Sequence, residues 1–258
     1  MKSILIVGYG VVGHNLYQEL SKLQPDVYDK FKTRYNTKRD IKYDFCFICV
    51  DTPYVDKNNP CDITEVKNAI MENDADVYII KSTILPGTTN YLNSKFYRKN
   101  IIISPEYYVG TQHCNNFKFD FTILGGDKED CIRVQQLLQE VYDARHIFRI
   151  VDGATAEFTK YMENGWIGFN VSFCNQMHES IEKFNKLNNT NVKYEEVREC
   201  WRLDERMPES HTYVYREHPY YDTHCLNKDI PAFADFLDVY LFKAMIEFNE
   251  MQKKKYKK

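Results

Sequence analysis

A chain of 258 residues, 43% of them apolar or aromatic, is long enough to bury a sizeable core and has room for one large or two ordinary domains. Its formal charge of -3 gives no global basic field, which speaks against a broad nucleic-acid or anionic-lipid footprint and leaves a small soluble substrate. Eight cysteines scattered without paired spacing read as reduced thiols of a cytoplasmic chain and not as a disulfide frame.

Met1-Lys2-Ser3 runs straight into the apolar stretch Ile4-Leu5-Ile6-Val7 and then glycine, which does not read as a signal peptide. No apolar run is long enough to span a bilayer, so no membrane partner is expected. From there the first half alternates short β-rich runs with helical stretches. The runs are Ser3 to Val7, Asp26 to Tyr28, Phe45 to Val50, Val77 to Lys81, Ile101 to Ser104, Phe121 to Leu124 and Ile147 to Ile150. Such alternation predicts an α/β fold with a mostly parallel, doubly wound sheet covered by helices. Strands buried on both faces read as continuous apolar runs, as Ile4 to Val7 and Ile101 to Ile103 do. Cys46 and Cys49 form the one C-x-x-C, but they lie inside the apolar run Phe45 to Val50. They read as core packing, and no metal is expected.

From Thr155 to about Leu187 the pattern changes to one long helical stretch without proline, and a second, all-helical domain begins there. The expected organisation is a dinucleotide-binding domain over 1–150, a helical domain over 151–252 and a solvated basic tail over 253–258. Within the second domain, Asn185 to Asn191 reads as a loop and Tyr194 to Trp201 as a helix. Met207 to Asp222, rich in proline, histidine and tyrosine, reads as an irregular loop over the site. A last helix is expected from about Pro231 to Gln252, with the proline in its first turn.

Gly8-Tyr9-Gly10-Val11-Val12-Gly13 follows a strand and opens a helix, the context that turns G-x-G-x-x-G into a dinucleotide fingerprint of the Rossmann type. Gly8 permits the tight turn, Gly10 lets backbone approach the pyrophosphate, and Gly13 lets the helix pack on the sheet. Asp29, at the end of the next short strand, would accept the ribose hydroxyls and repel a 2′-phosphate, which favours NAD over NADP.

Further segments appear in a telling order: Cys49-Val50-Asp51-Thr52-Pro53, Ser82-Thr83-Ile84-Leu85-Pro86-Gly87-Thr88-Thr89, Ser104-Pro105-Glu106-Tyr107, Ala156-Glu157-Phe158-Thr159-Lys160 with Asn164, Asp204-Glu205-Arg206, Cys225-Leu226-Asn227-Lys228-Asp229, and Ala244 to Gln252. Together they resemble the successive signatures of the UDP-glucose/GDP-mannose dehydrogenases, over nearly the whole chain. The resemblance implies a four-electron oxidation of a nucleotide sugar's primary alcohol to a carboxylate, with two NAD molecules used in turn and a cysteine-bound thiohemiacetal and thioester. It also implies a homodimer formed through the long helix.

By that resemblance Cys225 is the nucleophile, with nearby Lys228 and a following helix N-terminus favouring its thiolate. Lys160 and Asn164, one helical turn apart, stabilise the same oxyanion. Asp229 and Glu106, with Thr83, hold or activate water, while Asp229 also reads as the N-cap of the helix carrying Pro231. Val50, Thr52, Thr83 and Lys228 join Gly8, Gly10, Val11, Val12, Gly13 and Asp29 on the cofactor side. Arg206, Lys160 and Glu106 fall on the substrate side.

The sequence departs from the family in three places. A glycine-rich stretch before the nucleophile is replaced by His218-Pro219-Tyr220-Tyr221-Asp222-Thr223-His224, which implies a rebuilt pocket. Val109-Gly110 stands where a second glutamate is usual. The family's further Rossmann-like domain is not represented after Gln252, which implies a site open on one side unless another chain covers it. Two other functions fit the same residues. One is a two-electron dehydrogenase of the β-hydroxyacid type, which needs Lys160 and Asn164 but not Cys225; the other is a non-catalytic NAD-binding protein with a degenerate substrate loop.

Overall fold

The computed structural model describes residues 2–37, 40–107, 119–207 and 209–256; Val109-Gly110 lies outside the described residues. The described chain divides into two compact units, one ending at Lys160 and the other beginning at Tyr161.

The first unit holds a seven-stranded sheet in the order β2-β1-β3-β4-β5-β6-β7. The strands are β1 (Ile4–Val7), β2 (Asp26–Tyr28), β3 (Lys42–Ile48), β4 (Asp74–Ile80), β5 (Asn100–Ile103), β6 (Phe121–Gly125) and β7 (Ile147–Val151). Every expected strand is present, although β3 and β4 begin earlier than their apolar runs, at Lys42 and Asp74. All pairings are parallel except β5 with β6, which meet antiparallel through Ile103 and Gly125. Helices α1 (Val11–Glu19), α2 (Thr64–Glu72), α3 (Thr88–Lys95) and α4 (Lys128–Leu138) connect strands.

Side chains alternate across each strand, so the apolar runs feed two cores. Leu5, Val7, Cys46, Ile48, Tyr78, Ile80, Ile101 and Ile103 face α2 and α3 through Val66, Ala69, Ile70 and Leu92. Ile4, Ile6, Phe45, Phe47, Val77, Ile79 and Ile102 face α1 and α4 through Leu16, Val134 and Leu137. Helices on both faces make the sheet doubly wound, and burying each of its Val, Leu, Ile and Phe side chains is worth about 1.5–3 kcal/mol. Cys46 lies in this core with its thiol pushed up to about 12 by burial, the packing role its setting predicts.

Strand order reverses at β1, since β2 lies on one side and β3 through β7 on the other. The C-terminal ends of β1 and β3 therefore flank the crevice in which open α/β sheets bind their ligands. The glycine loop follows β1 and the Cys49–Pro53 segment follows β3.

The second unit contains most of α5 (Gly153–Asn188), with α6 (Tyr194–Trp201), α7 (His224–Phe236) and α8 (Tyr240–Tyr256). A core of Tyr221, Leu226, Ile230 and Met245 joins α7 to α8. Two expectations need correction here. The single last helix is two helices: Thr223 caps α7 by accepting the Leu226 N–H at 3.3 Å, Pro231 lies inside α7, and Asp238 at φ 57° breaks the chain before α8. The basic tail is also misplaced, because Lys253 through Tyr256 continue α8. Lys253 is tied to Asp222 and Asn227, and Lys255 to Glu179.

Candidate functional site

The chain leaves β1 at Val7 and turns at once through Gly8, which has φ +90°. A Cβ on Gly8 would stand 2.6 Å from the Cys49 carbonyl oxygen, and one on Gly13 only 1.9 Å from the Gly8 carbonyl oxygen. Side chains at either position would force α1 away from the ends of β1 and β3. Gly10 differs, because a Cβ there meets nothing within 4 Å. Beside it the N-terminus of α1 carries no side-chain cap and no acidic residue in its first turn, so the backbone N–H groups at Val11 and Val12 suit a phosphate.

Asp29 follows β2 and is buried. Its Oδ2 accepts the Tyr9 N–H at 2.8 Å and its Oδ1 accepts the Phe31 N–H at 2.9 Å. The first of these bonds fixes the carboxylate to the glycine loop. A carboxylate has about four acceptor sites, so capacity remains for ribose hydroxyls. Tyr9 is held in turn by ring contacts with Tyr17 and Tyr35 and by Lys32, whose ammonium donates to the Tyr9 carbonyl. Across the crevice Ser82 donates to the Val50 carbonyl at 2.6 Å, and buried Thr52 donates to the Thr83 carbonyl at 2.6 Å. The backbone of this cradle fits a dinucleotide.

Beyond β5, Glu106 is mostly buried beside Lys81, with Nζ 3.3 Å from Oε2. Its Oε1 accepts the Tyr107 N–H at 2.7 Å, and the Lys160 ammonium lies 4.6 Å from the centre of the Tyr107 ring. Glu106 and Lys160 are thus linked through one tyrosine. Glu157, fully buried one turn before Lys160, accepts the Gly87 N–H at 2.6 Å and both the N–H and hydroxyl of Thr89 at 2.8 and 2.7 Å. It caps α3 and pins the loop that carries Thr83. Burial pushes its carboxyl above the usual range, against the opposing pull of those bonds.

In the second unit Asn164 donates from Nδ2 to Oδ2 of Asp229 at 2.7 Å, and Lys228 donates to Oδ1 at 2.7 Å. Asn164 and Asp229 are both almost fully buried. Asp229 sits inside α7 one turn after Cys225, so it is not an N-cap; that position belongs to Thr223. Cys225 is exposed in the first turn of α7. Lys160 and Asn164 lie one turn apart on α5. Arg206 is not gathered with them: its side chain is 84% exposed and pairs with Asp204 two residues away. The 207–223 segment has no helix or strand, as expected, among its described residues.

Sequence reasoning assigned no role to Lys81, Glu157, Asn249 or Lys253. Glu157 and Asn249 lie inside segments already singled out, and Lys81 ends an apolar strand; burial was the missing signal. Among the described residues, no group of three or more His, Cys, Asp and Glu side chains can hold a metal ion, and no helix is long and apolar enough to cross a membrane.

A doubly wound unit with a glycine cradle and a buried aspartate bonded to it, continued by a long helix bearing lysine and asparagine, has the build of a dinucleotide-dependent dehydrogenase. Comparison with known proteins gives the family. Residues 11–146 match the UDP-glucose/GDP-mannose dehydrogenase family's NAD binding domain, and residues 154–251 match its central domain. The chain belongs to that family, and its cofactor is NAD. A UDP-glucose 6-dehydrogenase of Campylobacter jejuni is 27% identical over 222 residues, which are 82% of this chain and 54% of that protein. A UDP-N-acetyl-D-mannosamine dehydrogenase of Methanocaldococcus jannaschii is 29% identical over 153 residues, 55% of this chain and 35% of that protein. The chain therefore spans about half or less of these relatives. A solved UDP-glucose dehydrogenase from Pyrobaculum islandicum shares the fold, with a TM-score of 0.78 at 20% identity over 97% of this chain and 68% of that one.

Proposed function

We propose that the chain catalyses NAD-dependent oxidation of a nucleotide sugar's primary alcohol to the carboxylate. The observation that carries this reading is the buried Asn164–Asp229–Lys228 chain of hydrogen bonds one helical turn from the exposed Cys225 thiol. Those residue types have little structural reason to be buried together, and the resemblance of their segments to the family's signatures supports a catalytic role.

Two NAD molecules, bound in turn, would supply the hydride acceptors, one for each oxidation. Lys160 offers its ammonium, and Asn164 its remaining amide N–H, to the alcohol oxygen as its proton passes to water held by Asp229 or by Glu106 with Thr83 and it becomes carbonyl. The Cys225 thiolate adds to the resulting aldehyde carbon and the oxygen takes a proton, giving a thiohemiacetal. Loss of a second hydride and that proton leaves a thioester. Water, deprotonated by Asp229 or by Glu106 with Thr83, attacks the thioester carbon; the C–S bond breaks and thiolate and carboxylate are released. Arg206, though exposed, is retained as a contact for the substrate's charged groups.

UDP-glucose and UDP-N-acetylmannosamine are the substrates to try first, because the relatives named above act on them. The free cysteines support a cytoplasmic protein. The exposed Trp166, Phe173 and Met177 of α5 support a homodimer through that helix. The test is a thermal-shift and NADH-absorbance panel of NAD, NADP and both nucleotide sugars. NADH production with one sugar is the expected result; binding of NAD and sugar without NADH would leave only the non-catalytic reading. A two-electron β-hydroxyacid-type oxidation is the competing chemistry, because Lys160 and Asn164 serve it equally well.

A further inference from the structure

We infer that Asn249 and Lys253 of α8 are positioning residues for the Cys225 thiol. The inference rests on the proposed role of Cys225, and it starts from how the chain enters α7. Asn249 is 2% exposed. Its Oδ1 accepts the Tyr221 N–H at 2.9 Å, and its Nδ2 donates to the Tyr221 carbonyl at 3.0 Å. One side-chain amide thus holds both backbone groups of a single loop residue, as a neighbouring strand would. Tyr221 is itself 5% exposed and packs on Leu226, Ile230 and Met245, so the ring and the backbone are fixed together.

Lys253 grips the next residue. Its ammonium, on a side chain only 15% exposed, lies 3.3 Å from Asp222 Oδ1 and 3.1 Å from Asn227 Oδ1. Asn227 also donates to Asp222 Oδ1 at 2.9 Å, which closes a triangle around the first turn of α7. Thr223, between the two gripped residues and the helix, supplies the N-cap. Residues 221, 222, 223 and 227 are all restrained, and Cys225 lies among them. Where a flexible entry would leave the first turn free to fray, α8 holds it as a formed turn.

A formed first turn places its residues at the positive end of the helix dipole, which favours a thiolate there. Loosening the clamp removes that assistance without touching the sulfur. Alkylation measures this without NAD, sugar or turnover, so the outcome is independent of whether the dehydrogenase reading succeeds.

Iodoacetamide labelling of the full chain, followed by peptide-resolved mass spectrometry at several pH values, compares Cys225 with the exposed Cys200 as internal control. In Asn249→Ala and Lys253→Met, Cys225 should react more slowly at neutral pH by about threefold or more, and its rate should rise with pH later than in the parent. Cys200 should be unchanged, and Lys253→Arg should restore the parent rate. An unchanged or faster Cys225 in folded Lys253→Met protein overturns the inference. So does equal slowing of Cys200. If Asn249→Ala does not fold, the Lys253 pair decides alone.

Discussion

The glycine cradle of the first unit and the cysteine turn of the second are built by opposite means. In the cradle, backbone meets backbone: Gly8 and Gly13 are fixed by carbonyl oxygens that would lie 2.6 and 1.9 Å from any Cβ. Around Cys225, side chains from the following helix hold the turn: Asn249 clamps the backbone of Tyr221 and Lys253 bridges the side chains of Asp222 and Asn227. A cradle of the first kind tolerates almost no substitution, whereas a turn of the second kind can be rebuilt from residues such as tyrosine and aspartate provided a partner side chain receives them.

The sharpest way to break this contrast is at Gly13. Gly13→Ala must push the Gly8 carbonyl aside, with a stability loss of about 3 kcal/mol or more in urea melts and loss of the NAD-induced thermal shift. An Ala variant that melts and binds NAD like the parent would show that the cradle yields.

Glu157→Gln comes next. A glutamine has one oxygen for the Gly87 and Thr89 donors, and its NH2 group faces an N–H, so about 2–3 kcal/mol should be lost. The same variant sharpens the electrostatics. Because burial raises the folded-state pKa of Glu157, its ionisation costs the fold stability. Its contribution is fully present below the unfolded glutamate pKa and declines as pH rises through the folded value. The difference between parent and Glu157→Gln melting temperatures should therefore change with pH above about 4.3 and then level off. A difference independent of pH would contradict that assignment.

A smaller effect, about 1.5–2 kcal/mol, is expected for Asn164→Ala, which leaves one oxygen of a buried aspartate without its donor. The Lys228 ammonium still holds the other oxygen. The smallest effect belongs to Arg206→Ala, where an exposed local pair with Asp204 is removed and melting should not change measurably. A clear drop in melting temperature there would mean that Arg206 has a buried role.

The contrast also explains what could be read from the sequence. Strands β1 to β7 and the glycine cradle are legible because short continuous apolar runs and glycine spacing are local properties of the chain. The long helix α5 and helix α6 were legible for the same reason. The split between α7 and α8 was not, because Pro231 was read as a helix start, whereas the helix begins upstream at a threonine cap and the break falls at Asp238. Lys253 was read from the charge of its neighbours as solvated tail. Its partners Asp222 and Asn227 precede it by a whole helix, and no local pattern joins them. Arg206 rests on resemblance alone, and the fold leaves it paired with Asp204.

The most direct test of the chemistry is product stoichiometry. With the nucleotide sugar that yields NADH, the parent protein should form two NADH for each sugar converted and release the carboxylate. Cys225→Ser should fail to complete the second oxidation, so that aldehyde accumulates or carboxylate formation is lost. One NADH per turnover in the parent, or an unchanged yield of carboxylate from Cys225→Ser, would contradict oxidation through a thioester.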